Sequence, residues 1–163
     1  MRAVPSIALF AVAAIAGCYL GYGRTIRSGA LIDEYSRAEC IPVKVAAGIS
    51  PPTRGWDYTL KTRAGVSIRV FGADVVGGAI EVEYLADGKK AVAANAGDYI
   101  YPADVRFERT NDRLYIKASG RPAAFGGPQT WLFEYDLVSR HQTAHAKVDP
   151  TVLPQECQMG SSN

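Results

Sequence analysis

Between Trp56 and Val148 the chain alternates apolar and polar residues in short runs, each closed by a turn signal. This pattern constrains the fold more than any other feature. A period of two sends successive side chains to opposite faces of a strand, whereas an amphipathic helix needs apolar residues three or four apart. Trp56, Tyr58 and Leu60 alternate with Asp57, Thr59 and Lys61, and after Ala64-Gly65 come Val66, Ile68 and Val70. Ile80, Val82 and Tyr84 alternate with Glu81 and Glu83; Asp87-Gly88 then turns the chain into Lys89 to Ala96. Asp-Gly is a strong hairpin signal because it tolerates positive φ.

The second half follows the same plan. Val105 and Phe107 precede Asn111-Asp112, then Leu114, Ile116 and Ala118, then Trp131, Phe133, Tyr135 and Leu137, and last His141 to Val148 with Ala144, Ala146 and Val148 turned inward. Asp57–Asp98 and Asp104–Asp149 therefore each read as an antiparallel four-stranded meander with a longer glycine-containing loop in its middle. Each unit resembles one blade of a β-propeller, and Leu132-Phe133-Glu134-Tyr135-Asp136-Leu137 is similar to a blade's third strand. A propeller needs about four blades or more. Two such sheets, each with one apolar face, are expected to pack together as an all-β sandwich or open barrel. Phe133 and Ile116 lie on the apolar sides, where a charge would prevent folding; Lys117 and Glu81 lie on the polar sides and are expected to tolerate reversal.

Ahead of this body, Ala30 to Ala38 carries Leu31, Tyr35 and Ala38 at i, i+4 and i+7, with Asp33 and Glu34 early and Arg37 late, a spacing that fits a short helix, with coil as the alternative. Ile49 to Gly55, with Pro51-Pro52, stops it from continuing. The expected division is a signal peptide over 1–17, a tether and N-terminal segment over 18–55, the β domain over 56–150 and a tail over 151–163.

Ala3 to Ala16 is apolar apart from Ser6 and follows Arg2; at about 14 residues it has the length of a signal core rather than of a span. Carried on through Gly23 the run reaches about 21 residues, enough to cross a bilayer. Ile15-Ala16-Gly17-Cys18 resembles the lipobox of bacterial lipoproteins, a branched aliphatic and two small residues before a cysteine. The resemblance implies cleavage before Cys18, acylation of that residue and a domain held outside the cytoplasm by its lipid. The same resemblance implies, from Tyr19 in place of an Asp after the cysteine, sorting to the periplasmic face of the outer membrane. Several acyl chains anchor far more firmly than one.

The chain has three cysteines, and an odd count leaves a stray thiol in an oxidising compartment. With Cys18 given to lipid, Cys40 and Cys157 remain as an even pair whose bridge would tie the two ends of the body together. A loop near 100 residues would gain about 4–5 kcal/mol in the chain-entropy account. Two separate reduced thiols are the alternative.

Chemistry does not stand out. Lys and Arg number 18 against 16 Asp and Glu, so no basic footprint for nucleic acid exists. No serine-hydrolase elbow, phosphate loop or Cys/His metal spacing occurs. His141 and His145 would share a face of a strand about 13 Å apart, too far for one ion. No catalytic residue, metal ligand or cofactor is assigned. The apolar and basic tips of the two longer loops, Val75 and Val76 in one, Arg121 and Phe125 in the other, are the candidate partner contacts. These observations imply a lipid-anchored envelope module that binds a protein or glycan or holds an assembly in place. The alternatives are an envelope hydrolase whose residues converge only in three dimensions, and a single-span inner-membrane protein with the same domain outside.

Overall fold

The structure, a computed structural model, describes residues 28–45, 54–73, 78–95, 100–121 and 127–157. A helix, α1, covers 28–37. The strands are β1 (Glu39–Ile41), β2 (Lys44–Val45), β3 (Arg54–Lys61), β4 (Ser67–Ala73), β5 (Ala79–Tyr84), β6 (Lys89–Asn95), β7 (Ile100–Glu108), β8 (Arg113–Gly120), β9 (Gln129–Asp136) and β10 (His141–Val148). A 3₁₀ turn at Pro150–Val152 follows, capped by the Asp149 side chain on the Thr151 N–H.

The strands form two antiparallel sheets that do not close into a barrel. Sheet A is ordered β1-β7-β8-β9-β10 and sheet B β2-β3-β4-β5-β6. Both meanders are present as the alternation implied. Each gains an outer strand from residues 39–45, which sequence reading had left in the N-terminal segment: β1 pairs with β7 and β2 with β3. Strands of three and two residues are too short to show a period.

The inner faces share one core. Ile68, Val70, Ile80 and Val82 of sheet B meet Val105, Phe107, Leu114, Ile116 and Phe133 of sheet A, all buried. Burying each such side chain is worth about 1.5–3 kcal/mol. The hairpin turns of both sheets gather at one end and are tied across. Asp112, buried and at φ 53°, accepts from the Arg63 N–H at 2.7 Å. The Tyr84 hydroxyl donates to the Leu137 carbonyl at 2.9 Å, and Arg140 donates to Asp87 at 2.8 Å. Gly88, at φ +64°, fits the left-handed position that its turn demands. At Gly72 a Cβ would lie 2.6 Å from Ile80 Cδ1 and 2.9 Å from the Ala79 carbonyl, so only glycine lets β4 approach β5 there.

A third layer lies on the outside of sheet A. Leu31, Tyr35 and Ala38, the stripe read from the sequence, are buried with Tyr115, Leu132 and Val148. Ala144, Ala146 and Val148 therefore turn toward α1 and not into the sandwich interior. Lys117 is a correction: it is only 7% exposed and pairs with Glu156 of the C-terminal tail, because the tail crosses the face that alternation assigned to solvent.

Candidate functional site

Two regions of sheet A concentrate polar chemistry: the face beneath α1 and the tail, and the terminal strand β10. On the covered face Asp104 is 1% exposed. Its Oδ2 accepts from the Tyr35 hydroxyl at 2.5 Å and from Arg106 Nε at 2.9 Å, and its Oδ1 accepts from the Cys157 N–H at 3.3 Å. The Arg106 guanidinium lies 4.5 Å from the Tyr35 ring centre and gives its other arm to the Gln155 carbonyl at 2.8 Å. Beside this, the Tyr115 hydroxyl donates to Glu34 of α1 at 2.9 Å, Arg113 donates to Glu134 at 2.6 Å, and Thr143 donates to the same carboxylate at 2.7 Å.

A carboxylate buried this deeply is costly unless donors surround it. Here two side chains and a backbone N–H do so. Burial first, then the hydrogen bond to Asp104, pushes the Tyr35 hydroxyl well above the ordinary tyrosine value. Tyr115 is raised likewise, by burial first and Glu34 second. Both phenols thus stay protonated and donate at neutral pH. Both Asp104 oxygens are supplied with donors, whereas Arg113 Nε is buried with no partner among the described residues, and the Cys40–Cys157 disulfide, whose Cα atoms stand 5.6 Å apart, seals the cluster. It clamps helix and tail to the sheet.

The edge is different. β10 ends the strand order of sheet A, and a cavity of about 600 Å³ runs along it from Thr143 to Lys147, walled by Ser28 and Leu31 of α1 on one side and by Trp131 on the other. Ala144 and Ala146 leave this space because their side chains stop at Cβ. The His145 ring lies 6.2 Å from the ring centres of both Trp131 and Phe133, and Gln142 Nε2 is 3.1 Å from His145 Nδ1. Trp131 Nε1 is buried and has no hydrogen-bond partner among the described residues.

The histidines themselves correct an expectation. A register shift between Gln142 and Ala144 leaves Thr143 as a bulge, so His141 pairs with Asp136 while His145 pairs with Phe133. Phe133 faces the core and Asp136 the other side, so the two histidines stand on opposite faces rather than on one. Among the described residues no group of three His, Cys, Asp or Glu could hold a metal ion.

Of the residues singled out from sequence, Cys40 and Cys157 are joined. Arg121 is exposed just past the end of β8, where the second long loop begins. Cys18, Val75, Val76 and Phe125 lie outside the described residues. Sequence reading missed Asp104, Arg106 and the β10 edge. The only trace of the first two was the apolar stripe of α1, which had to cover something. No helix among the described residues is long and apolar enough to cross a membrane. No family model, curated protein or solved structure matches the chain.

Proposed function

We propose that this chain is a membrane-tethered lipoprotein of the bacterial cell envelope, acylated at Cys18, whose β domain serves as a binding or scaffold module on the periplasmic face of the outer membrane. The observation that carries the reading is the cysteine pairing. Cys40 and Cys157 are bonded to each other, which leaves Cys18 as the third cysteine, standing at the end of Ile15-Ala16-Gly17. A disulfide of this kind persists in oxidising compartments such as the periplasm and is rare in the cytosol. The nine residues between Cys18 and Ser28 would let a tether reach roughly 30 Å when extended, enough to hold the domain clear of the headgroups. The terminal place of β10 in sheet A supports the binding part, because a strand at the end of a sheet can template another chain.

The test is metabolic labelling with a fatty-acid analogue, followed by intact-mass measurement. The wild type is expected to take the label and to lose residues 1–17, and Cys18→Ser to do neither. Retention of the full precursor mass by the wild type would overturn the lipoprotein reading in favour of an uncleaved span.

A further inference from the structure

The two ends of the Cys40–Cys157 disulfide are held differently. Cys40 lies in β1, whose residues pair with β7: Glu39 with Phe107, Cys40 with Arg106 and Ile41 with Val105. Cys157 lies in the tail, where residues 154–157 belong to no strand or helix. Besides the bridge, that stretch meets sheet A through the Gln155 carbonyl on Arg106 at 2.8 Å, the Glu156 carboxylate on Lys117 at 2.7 Å and the Cys157 N–H on Asp104 at 3.3 Å. Gln155 and Glu156 are themselves exposed, so water competes for their bonds. With the bridge open, β1 keeps its ladder and the tail keeps only these contacts.

The bridge can also be reached. Cys40 is exposed and Cys157 half-buried. Exposed disulfides are the labile and regulatory ones, since an attacking thiolate must reach a sulfur to open them. What the tail covers is charged. Asp104, Arg106 and Lys117 are all buried, and the register sets Asp104 opposite Lys117 and Arg106 opposite Tyr115 on β7 and β8. Each of the three charged groups takes one partner from the tail, so its departure would uncover them together.

We infer that the Cys40–Cys157 bridge is a redox latch: a dithiol reductant opens it from the Cys40 side, the tail lifts off, and Arg106 and Lys117 are uncovered while both sheets stay folded. One thiolate of the reductant attacks Cys40 Sγ; the S–S bond breaks, and Cys157 leaves as a thiolate that takes up a proton. The reductant's second thiol, as its thiolate, attacks its own partner sulfur in the mixed disulfide and releases Cys40, which is protonated in turn. The reductant ends as a disulfide, having given two electrons and two protons, and the latch ends as two thiols. The inference adds a control to the proposed binding module and does not depend on the anchor.

The experiment uses the full chain in detergent micelles, with and without dithiothreitol and in the absence of denaturant. An amine-reactive ester with peptide mass mapping reads the exposure of Lys117, and circular dichroism reads the sheets. Dithiothreitol is expected to raise Lys117 labelling about fivefold, as a local opening does, and to leave the strand spectrum unchanged. Labelling of Lys61, exposed on β3 of the other sheet, is expected to stay constant. Glu156→Gln is expected to keep Lys117 protected until the reductant is added, because the bridge still holds the tail. Cys40→Ser combined with Cys157→Ser is expected to label strongly with or without reductant; if that variant fails to fold, the reduced wild type still decides. Four results would overturn the latch: a bridge that stays closed in dithiothreitol, an open bridge with Lys117 still protected, loss of the strand spectrum along with the protection, or labelling of oxidised Glu156→Gln as strong as that of the reduced wild type. The last would make the ion pair, not the bridge, the holder of the tail. Absence of the lipid label at Cys18 would refute the anchor and leave this measurement intact.

Discussion

β5 and β8 are central strands of their sheets, and their sequences alternate equally well. In β5, Ile80, Val82 and Tyr84 are buried, and Ala79, Glu81 and Glu83 between them are partly exposed. In β8 the five residues from Leu114 to Ala118 are buried in succession, Tyr115 and Lys117 included. The difference is the cover on the second face. Nothing among the described residues lies on the outside of sheet B, where Arg69 pairs in solvent with Asp57 at 2.7 Å. The outside of sheet A holds α1 and the tail. A polar residue in an alternating strand thus marks the second face without saying whether that face is wet. Tyr115 and Lys117 are buried because Glu34 and Glu156 reach them from 81 and 39 residues away in sequence.

The sharpest way to break this comparison is a matched pair of substitutions on the two outer faces. Leu132, 1% exposed, packs under α1, whereas Val92 on β6 is 54% exposed. Leu132→Asp puts an unpaired charge into an apolar contact and is expected to cost about 4 kcal/mol or more, enough to leave little folded protein. Val92→Asp is expected to stay within about 0.5 kcal/mol of the wild type. Urea unfolding monitored by circular dichroism measures both. Similar losses would mean that the outer face of sheet B is covered as well.

The disulfide sharpens the same contrast, because Cys157, Gln155 and Glu156 hydrogen-bond to Asp104, Arg106 and Lys117 of sheet A. Reduction is expected to cost about 2–4 kcal/mol. It is expected to raise hydrogen exchange in α1 and β7 before β4 and β5. An equal rise across both sheets would show that the bridge acts on the whole fold and not on the cover.

The meanders, the turns and the stripe of α1 were legible because each rests on local spacing: two for the strands, three and four for the helix, φ > 0 at Gly88 for a turn. The Cys40–Cys157 pairing followed from parity and the place of the two residues at the ends of the body. What stayed hidden was non-local. Asp104 and Arg106 look like any solvated pair flanking Val105 until Tyr35, Gln155 and Cys157 are brought over them. The bulge at Thr143, which parts His141 from His145, carries no glycine to announce it. The β10 edge became a slot only through its terminal place in the strand order and the overhang of Leu31.

Lys117 gives the next contrast. Lys117→Glu sets a second carboxylate against Glu156, where Lys117 Nζ now lies 2.7 Å from Glu156 Oε1, and the lysine side chain is 9% exposed against 50% for its partner. Because half of the pair is wet, the expected cost is about 1–3 kcal/mol rather than that of a fully buried pair. Lys90→Glu on the open face of sheet B is expected to change stability by less than about 0.5 kcal/mol. Glu156→Lys combined with Lys117→Glu is expected to restore part of the loss. No recovery would locate the cost in packing of the lysine stem instead of in the charge pair.

The smallest expected effect concerns the link between the two sheets at their hairpin end. Asp87, in the β5–β6 turn of sheet B, is held below the ordinary carboxylate range first by the hydrogen bond from Arg140 of sheet A's β9–β10 turn and next by the Lys89 N–H. A carboxylate whose folded pKa lies below its unfolded value, about 3.9, gives its full stabilisation above that value and loses it as pH falls through the folded pKa. Asp87→Asn is therefore expected to be less stable than the wild type by a constant amount from pH 7 down to about 4. The gap then narrows in more acid solution, as protonation gives the wild type the neutral side chain that the variant already has. The link is exposed and salt-screened, so 1 M salt should shrink the gap at pH 7 as well. The cation stays near the turn in either case, since the Arg140 guanidinium also lies 3.9 Å from the Tyr84 ring centre. A gap that widens below pH 4 would mean that Asp87 is not the group through which the two turns are joined.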